Sequence, residues 1–263
     1  MIEAPAPAAE SSPRQPPLGI SHLLLWMLGT AVVLSVYRGF ASQEGTTPEQ
    51  QGVVVVNHVC LSLLAGINIA AVIVYARRLV VRDAPLLVQP GHWLLAIAGA
   101  SNVLMWLLMA PAAAISLLDE QHRFPEWAAS CTWLAYSVGC FAAAAFHIVA
   151  MLVQREPRRW PIYFLVSAVF SALLGLVFGT MFVFSLDGPQ GAMRLYDVSR
   201  VYMCLYPADQ LTGIVILLFN LIADRADRRP RDWLHRVGVV VTLLQSAAVV
   251  VFLWLLNWVA AGG

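Results

Sequence analysis

Long uncharged apolar runs recur along the whole of this chain. They cover residues 20–37, 53–76, 91–118, 127–153, 160–186 and 237–261, and one more near 201–223 is interrupted only by Asp209. Each approaches the roughly 20 residues a helix needs to cross a bilayer, where only internally hydrogen-bonded segments are tolerated. The pattern predicts an all-α integral membrane bundle of seven transmembrane helices, at about 20–37, 53–76, 92–116, 128–153, 160–186, 201–223 and 237–259, in one domain over 19–261. Residues 1–18, rich in Pro, Ala, Ser and Glu, are expected to form a flexible cytoplasmic tail, because they carry too little apolar area to offset ordering entropy.

The polar positions between the runs set the orientation. All 16 basic residues are arginine. With the N terminus in the cytoplasm, 12 of the 16 fall in the tail or in loops 77–91, 154–160 and 224–236, whereas only Arg38, Arg123, Arg194 and Arg200 fall in loops 38–52, 119–126 and 187–200. Basic residues are retained on the cytoplasmic side, so this split predicts a cytoplasmic N terminus. Trp93, Trp160 and Trp233 lie at the expected inner ends and Trp127 and Trp258 at the outer ends, the levels that indole rings prefer. Pro111 and Pro207 lie inside apolar runs and predict a kink or break in helices three and six. Gly39 and Ala41 would suit a signal-peptidase site, but Arg38 directly before them and the length of the first run favour an uncleaved anchor.

Composition agrees with this reading: 60% of the 263 residues are hydrophobic and 12% charged, against roughly 25% charged in soluble domains. The absence of lysine excludes a retinal Schiff base and any other lysine chemistry. There is no HExxH or GxSxG motif, no glycine-rich phosphate loop and no second intramembrane aspartate for a catalytic dyad. Nothing in the sequence points to nucleic acid as a partner.

Candidate chemistry is confined to a few polar residues inside the runs, because an ionisable group in a bilayer is costly unless it is paired or wet. Asp209 is expected one to two turns below the outer surface, beneath Pro207, and His147 about two turns above the inner end of helix four. Asn68, Asn102 and His58 complete the candidate intramembrane polar site. His58, Cys60, Cys131, Cys204 and Asp209 could converge near the outer face, and His22, His92 and His147 resemble a two-histidine haem set near the inner one. No pair has the spacing of a metal site, and the three histidines sit at unequal depths, so no metal, haem or other cofactor is expected. The four cysteines are read as apolar packing residues. Small residues at four-residue spacing (Ser62, Gly66 and Ala70; Ala135, Gly139 and Ala143; Ser171, Gly175 and Gly179) are read as helix-packing stripes, with Gly175 and Gly179 also open to a homo-oligomer contact. The expected partners are the lipid bilayer and a second copy or another membrane subunit.

The last inner loop, Asn220 to Asp232, superficially resembles the aspartate-rich motif of membrane prenyltransferases at Asn220, Asp224, Asp227 and Asp232. Its spacing departs from that pattern and no second such loop exists, so it is read as a solvated, arginine-rich cytoplasmic loop. The entry into the first helix, from Ile20-Ser21-His22 to Trp26, resembles uncharacterised multi-pass membrane proteins of planctomycete-type bacteria. That resemblance implies a bacterial inner membrane and no particular activity. The leading functional expectation is a non-enzymatic accessory or structural membrane component. The alternatives are a small-solute or proton-coupled transporter and a haem- or quinone-binding redox subunit.

Overall fold

The structure is a computed structural model and describes residues 20–40, 48–81, 87, 89–118, 126–154, 158–229 and 231–260. The described residues form seven helices: α1 (Ile20–Phe40), α2 (Pro48–Val81), α3 (Pro90–Leu118), α4 (Glu126–Val153), α5 (Arg159–Ser185), α6 (Gly188–Ala226) and α7 (Trp233–Ala260). Six of them, α2 to α7, carry stretches long and apolar enough to cross a membrane; the described apolar part of α1, Ile20–Ser35, is shorter. Large apolar side chains cover the outside, among them Leu176, Val215, Phe219 and Trp254, each more than half exposed. Such a continuous apolar surface belongs against lipid. The tail 1–18 and residues 41–47, 82–86, 88 and 119–125 of the expected loops lie outside the described residues.

Helix α3 is the hub, packing on α1, α2, α4 and α7, while α7 lies against α2, α3 and α6. Successive helices run in opposite senses, so the starts of α1, α3, α5 and α7 share one end with the finishes of α2, α4 and α6. This is the arginine-rich end. The small-residue stripes form seams within the chain. Ser62, Gly66 and Ala70 are buried, with Gly66 set against Trp26 and Thr30 of α1. On α5, Gly175 is buried against the Phe141 ring, and its carbonyl accepts a 2.8 Å hydrogen bond from Ser137 Oγ. The Gly175 face is therefore packed on α4 of the same chain, as the reading of these residues as helix-packing stripes expects.

Two expectations need correction. Both α3 and α6 run through their internal prolines, so of the kink or break expected there the break does not occur. A proline removes one intrahelical hydrogen bond, and the bonds before and after it keep each helix continuous. The stretch 187–200, expected as an outer loop, is helical from Gly188, which makes α6 39 residues long. At 1.5 Å per residue it spans roughly 58 Å, nearly twice the hydrocarbon thickness. The cause lies in Leu195, Val198, Tyr202, Leu205 and Tyr206, which recur at helical spacing and pack on Leu174, Phe178 and Met181. Arg194, Asp197 and Arg200 occupy the opposite, exposed face.

Candidate functional site

The polar side chains that the fold gathers lie at the arginine-rich end, where α6 turns into α7. Helix α6 stops because Arg228 takes a positive φ of 49°. The Arg229 N–H then reaches back to the Asp224 carbonyl, and the Arg228 N–H to that of Arg225, at 3.1 and 3.2 Å. These two bonds are the Schellman pattern that closes a helix C terminus. Four residues later Asp232 caps α7, its Oδ1 accepting the His235 N–H at 2.7 Å.

Between these two caps sits a nearly buried ion cluster. Asp224 is 5% exposed, and accepts from Arg231 Nε at 2.8 Å and from an Arg159 guanidinium nitrogen at 2.5 Å. The other terminal nitrogen of Arg159 reaches Asp227 at 2.8 Å. His92 Nε2 of α3 lies 2.9 Å from Asp232. The Gly91 N–H donates to His235 Nδ1 at 2.9 Å, which makes Nδ1 the acceptor and places the proton of a neutral ring on Nε2. That Nε2 faces Asp224 from 3.9 Å, too far for a hydrogen bond. Helices α3, α5, α6 and α7 are thus tied together at one level.

Close backbone approach makes the last of these ties possible. A Cβ added to Gly91 would overlap the His235 carbonyl oxygen, and one added to Gly238 would overlap the Gly91 carbonyl oxygen. Two glycines facing each other let α3 and α7 cross nearly in backbone contact. Trp160, fully buried, closes the cluster with its ring edge-on to His235 at 5.6 Å.

Beside this junction lies a cavity of about 510 Å³. Its floor is α2, with Ile67, Ala71, Val74 and Tyr75, backed by Leu95 of α3; one wall is the start of α1 and the other Trp233, Leu234 and Val237 of α7. The cavity exists because α1 packs on α2 and α3 and leaves a gap before α7. Its lining is almost wholly apolar, and Tyr75 separates it from the junction, with ring centroids 6.4 Å from His92.

The residues expected to form an intramembrane polar site stand on four helices, α2, α3, α4 and α6. Asp209 is half-buried on α6, accepts a 2.8 Å hydrogen bond from its neighbour Gln210, and lies within electrostatic reach of Cys140 and Tyr163. His147 rests beside Phe164 with ring centroids 6.0 Å apart. Asn68 is 1% exposed in the α2–α3 seam, where its backbone abuts Gly99, and no protein group bonds its amide. Asn102 and His58 are half-buried on α3 and α2. Among the described residues no three His, Cys, Asp or Glu side chains converge as metal ligands would. The suggested haem histidines are separated: His22 lines the cavity, His92 is engaged by Asp232, and His147 stands on α4.

The loop read as solvated is a correction of a different kind. Asp227, Arg228 and Arg229 are exposed, but the side chains of Asp224 and Arg231 are only 6% and 8% exposed and hold the bundle together. The signal available in the sequence was the seven-residue spacing from Asp224 to Arg231 across a helix stop, with Pro230 just before Arg231. Comparison with protein-family models, curated proteins and solved structures gave no match.

Proposed function

We propose that this multi-pass membrane protein is a non-enzymatic accessory component of a bacterial inner membrane, and that its lateral cavity holds the acyl tail of a lipid. The arginine-rich end faces the cytoplasm in this reading, supported by the 12 to 4 division of arginines between the two sets of loops. The observation that carries the proposal is the contrast between the two halves of the site. At the junction, Asp224, Asp232, Arg159, Arg231 and His92 are spent on one another. The adjoining cavity of about 510 Å³ offers apolar surface, within the size range of small-ligand pockets, and with the arginine-rich end in the cytoplasm it would open to the inner leaflet. A gap between helices in a bilayer gains contact energy when a hydrocarbon chain fills it.

The test is photo-crosslinking of the protein, in vesicles, to a phospholipid with a diazirine in its acyl chain. Adducts are expected to concentrate on 67–75 and 233–237, above the level on the lipid-facing Leu165 and Val169. Labelling no denser in the cavity than on that open α5 face would count against the proposal.

A further inference from the structure

Resting on the reading of the cavity as a lipid site, we propose that its occupant is an anionic phospholipid whose headgroup is held by Arg77 and Arg236. The inference starts from the distribution of charge at this end. Each described carboxylate there already has cationic or histidine partners: Asp224 has Arg231 and Arg159, Asp227 has Arg159 and Arg229, and Asp232 has His92. Arg77 and Arg236 are both exposed, and no carboxylate among the described residues pairs with either. They flank the cavity, Arg77 one turn beyond Val74 on its floor and Arg236 one turn beyond Trp233 on its wall.

Helix geometry puts the two cations within a turn of the cavity lining, on either side of one level. Tyr75 of α2 and Leu234 of α7 belong to one packed cluster and so share a level. Because the two helices run antiparallel, Arg77 lies about 3 Å on the arginine-rich side of that level and Arg236 about 3 Å on the other, an offset that long arginine side chains span toward the polar boundary. The helix starts of α1 and α7 also open here, with the positive ends of their dipoles. A zwitterionic headgroup would cancel most of this field, whereas an anionic one complements it.

The experiment measures the lipids that stay with the full-length protein. It is reconstituted in vesicles of equal parts phosphatidylglycerol and phosphatidylcholine with matched chains, extracted in mild detergent and weighed by native mass spectrometry. Phosphatidylglycerol is expected to be retained over phosphatidylcholine by roughly thirtyfold, as attraction to two arginines implies. The double variant Arg77→Gln/Arg236→Gln should lose that preference while retaining as much total lipid. Ala71→Phe and Val74→Trp, which fill the cavity, should lose both lipids; a thermal scan of each variant identifies any that has failed to fold. A preference that survives the double variant overturns the headgroup assignment and leaves the cavity reading standing. Lipid retention unchanged in a folded cavity-filling variant, or no lipid on the parent protein, overturns both.

Discussion

Asp224→Asn should be the most damaging single polar substitution in this protein, costing about 3–5 kcal/mol of stability. The reason is the partner it leaves behind. Arg231 is 8% exposed, and its Nε points at Asp224 from 2.8 Å. Asparagine keeps the volume and an acceptor oxygen but not the charge, so a nearly buried guanidinium loses the carboxylate charge 2.8 Å from its Nε. Arg159 loses its tighter contact as well and keeps only Asp227. The internal control is Asp227→Asn, since Asp227 is 46% exposed and exposed pairs contribute at most about 1 kcal/mol. Titration with sodium dodecyl sulfate in mixed micelles, followed by tryptophan fluorescence, would compare them. Similar midpoints for the two variants would show that the cluster does not hold α5, α6 and α7 together.

The next largest effect is expected at the crossing of α3 and α7. Gly91→Ala and Gly238→Ala should each destabilise by about 1–3 kcal/mol, the cost of forcing extra volume into a filled contact. Each added methyl meets a backbone carbonyl of the other helix, which cannot rotate out of the way as a side chain would. Separation of the helices would also break the bond from the Gly91 N–H to His235 Nδ1. One separation relieves both clashes, so the double variant should cost less than the sum of the singles. Strict additivity in the same detergent titration would place the two glycines at independent contacts. Gly213→Ala, where an added Cβ meets nothing within 4 Å, serves as the neutral comparison.

The sequence made the seven helices legible because hydrocarbon imposes a length and a polarity that any scan of uncharged runs detects. It misplaced the start of α6 for the same reason. Arg194, Asp197 and Arg200 interrupt the apolar run, yet they sit on the exposed face of a helix whose other face, Leu195, Val198 and Tyr202, is packed. Counting charges obscured a helical period that was present. The arginine-rich junction was illegible for a different reason. Asp224 is joined to Arg159 across 65 positions, and His92 to Asp232 across 140. Such pairings depend on which helices are neighbours, and helical periodicity carries little of that. The cavity likewise follows from the gap between α1 and α7, helices far apart in the chain.

Both the proposed setting and the inner-leaflet position of the cavity require the two ends of the bundle to face opposite sides of the membrane, with the arginine-rich end in the cytoplasm. Single-cysteine labelling tests this most directly. In a chain with Cys60, Cys131, Cys140 and Cys204 replaced by alanine, one cysteine would be placed by Arg228→Cys, in the exposed turn after α6, or by Tyr196→Cys, on the exposed face of its first half. A membrane-impermeant maleimide applied to intact cells is expected to label the Tyr196→Cys protein and spare the Arg228→Cys protein until the membrane is opened. Labelling of both from outside, or of the Arg228→Cys protein alone, would contradict the topology and with it the cytoplasmic placement of the arginine-rich end.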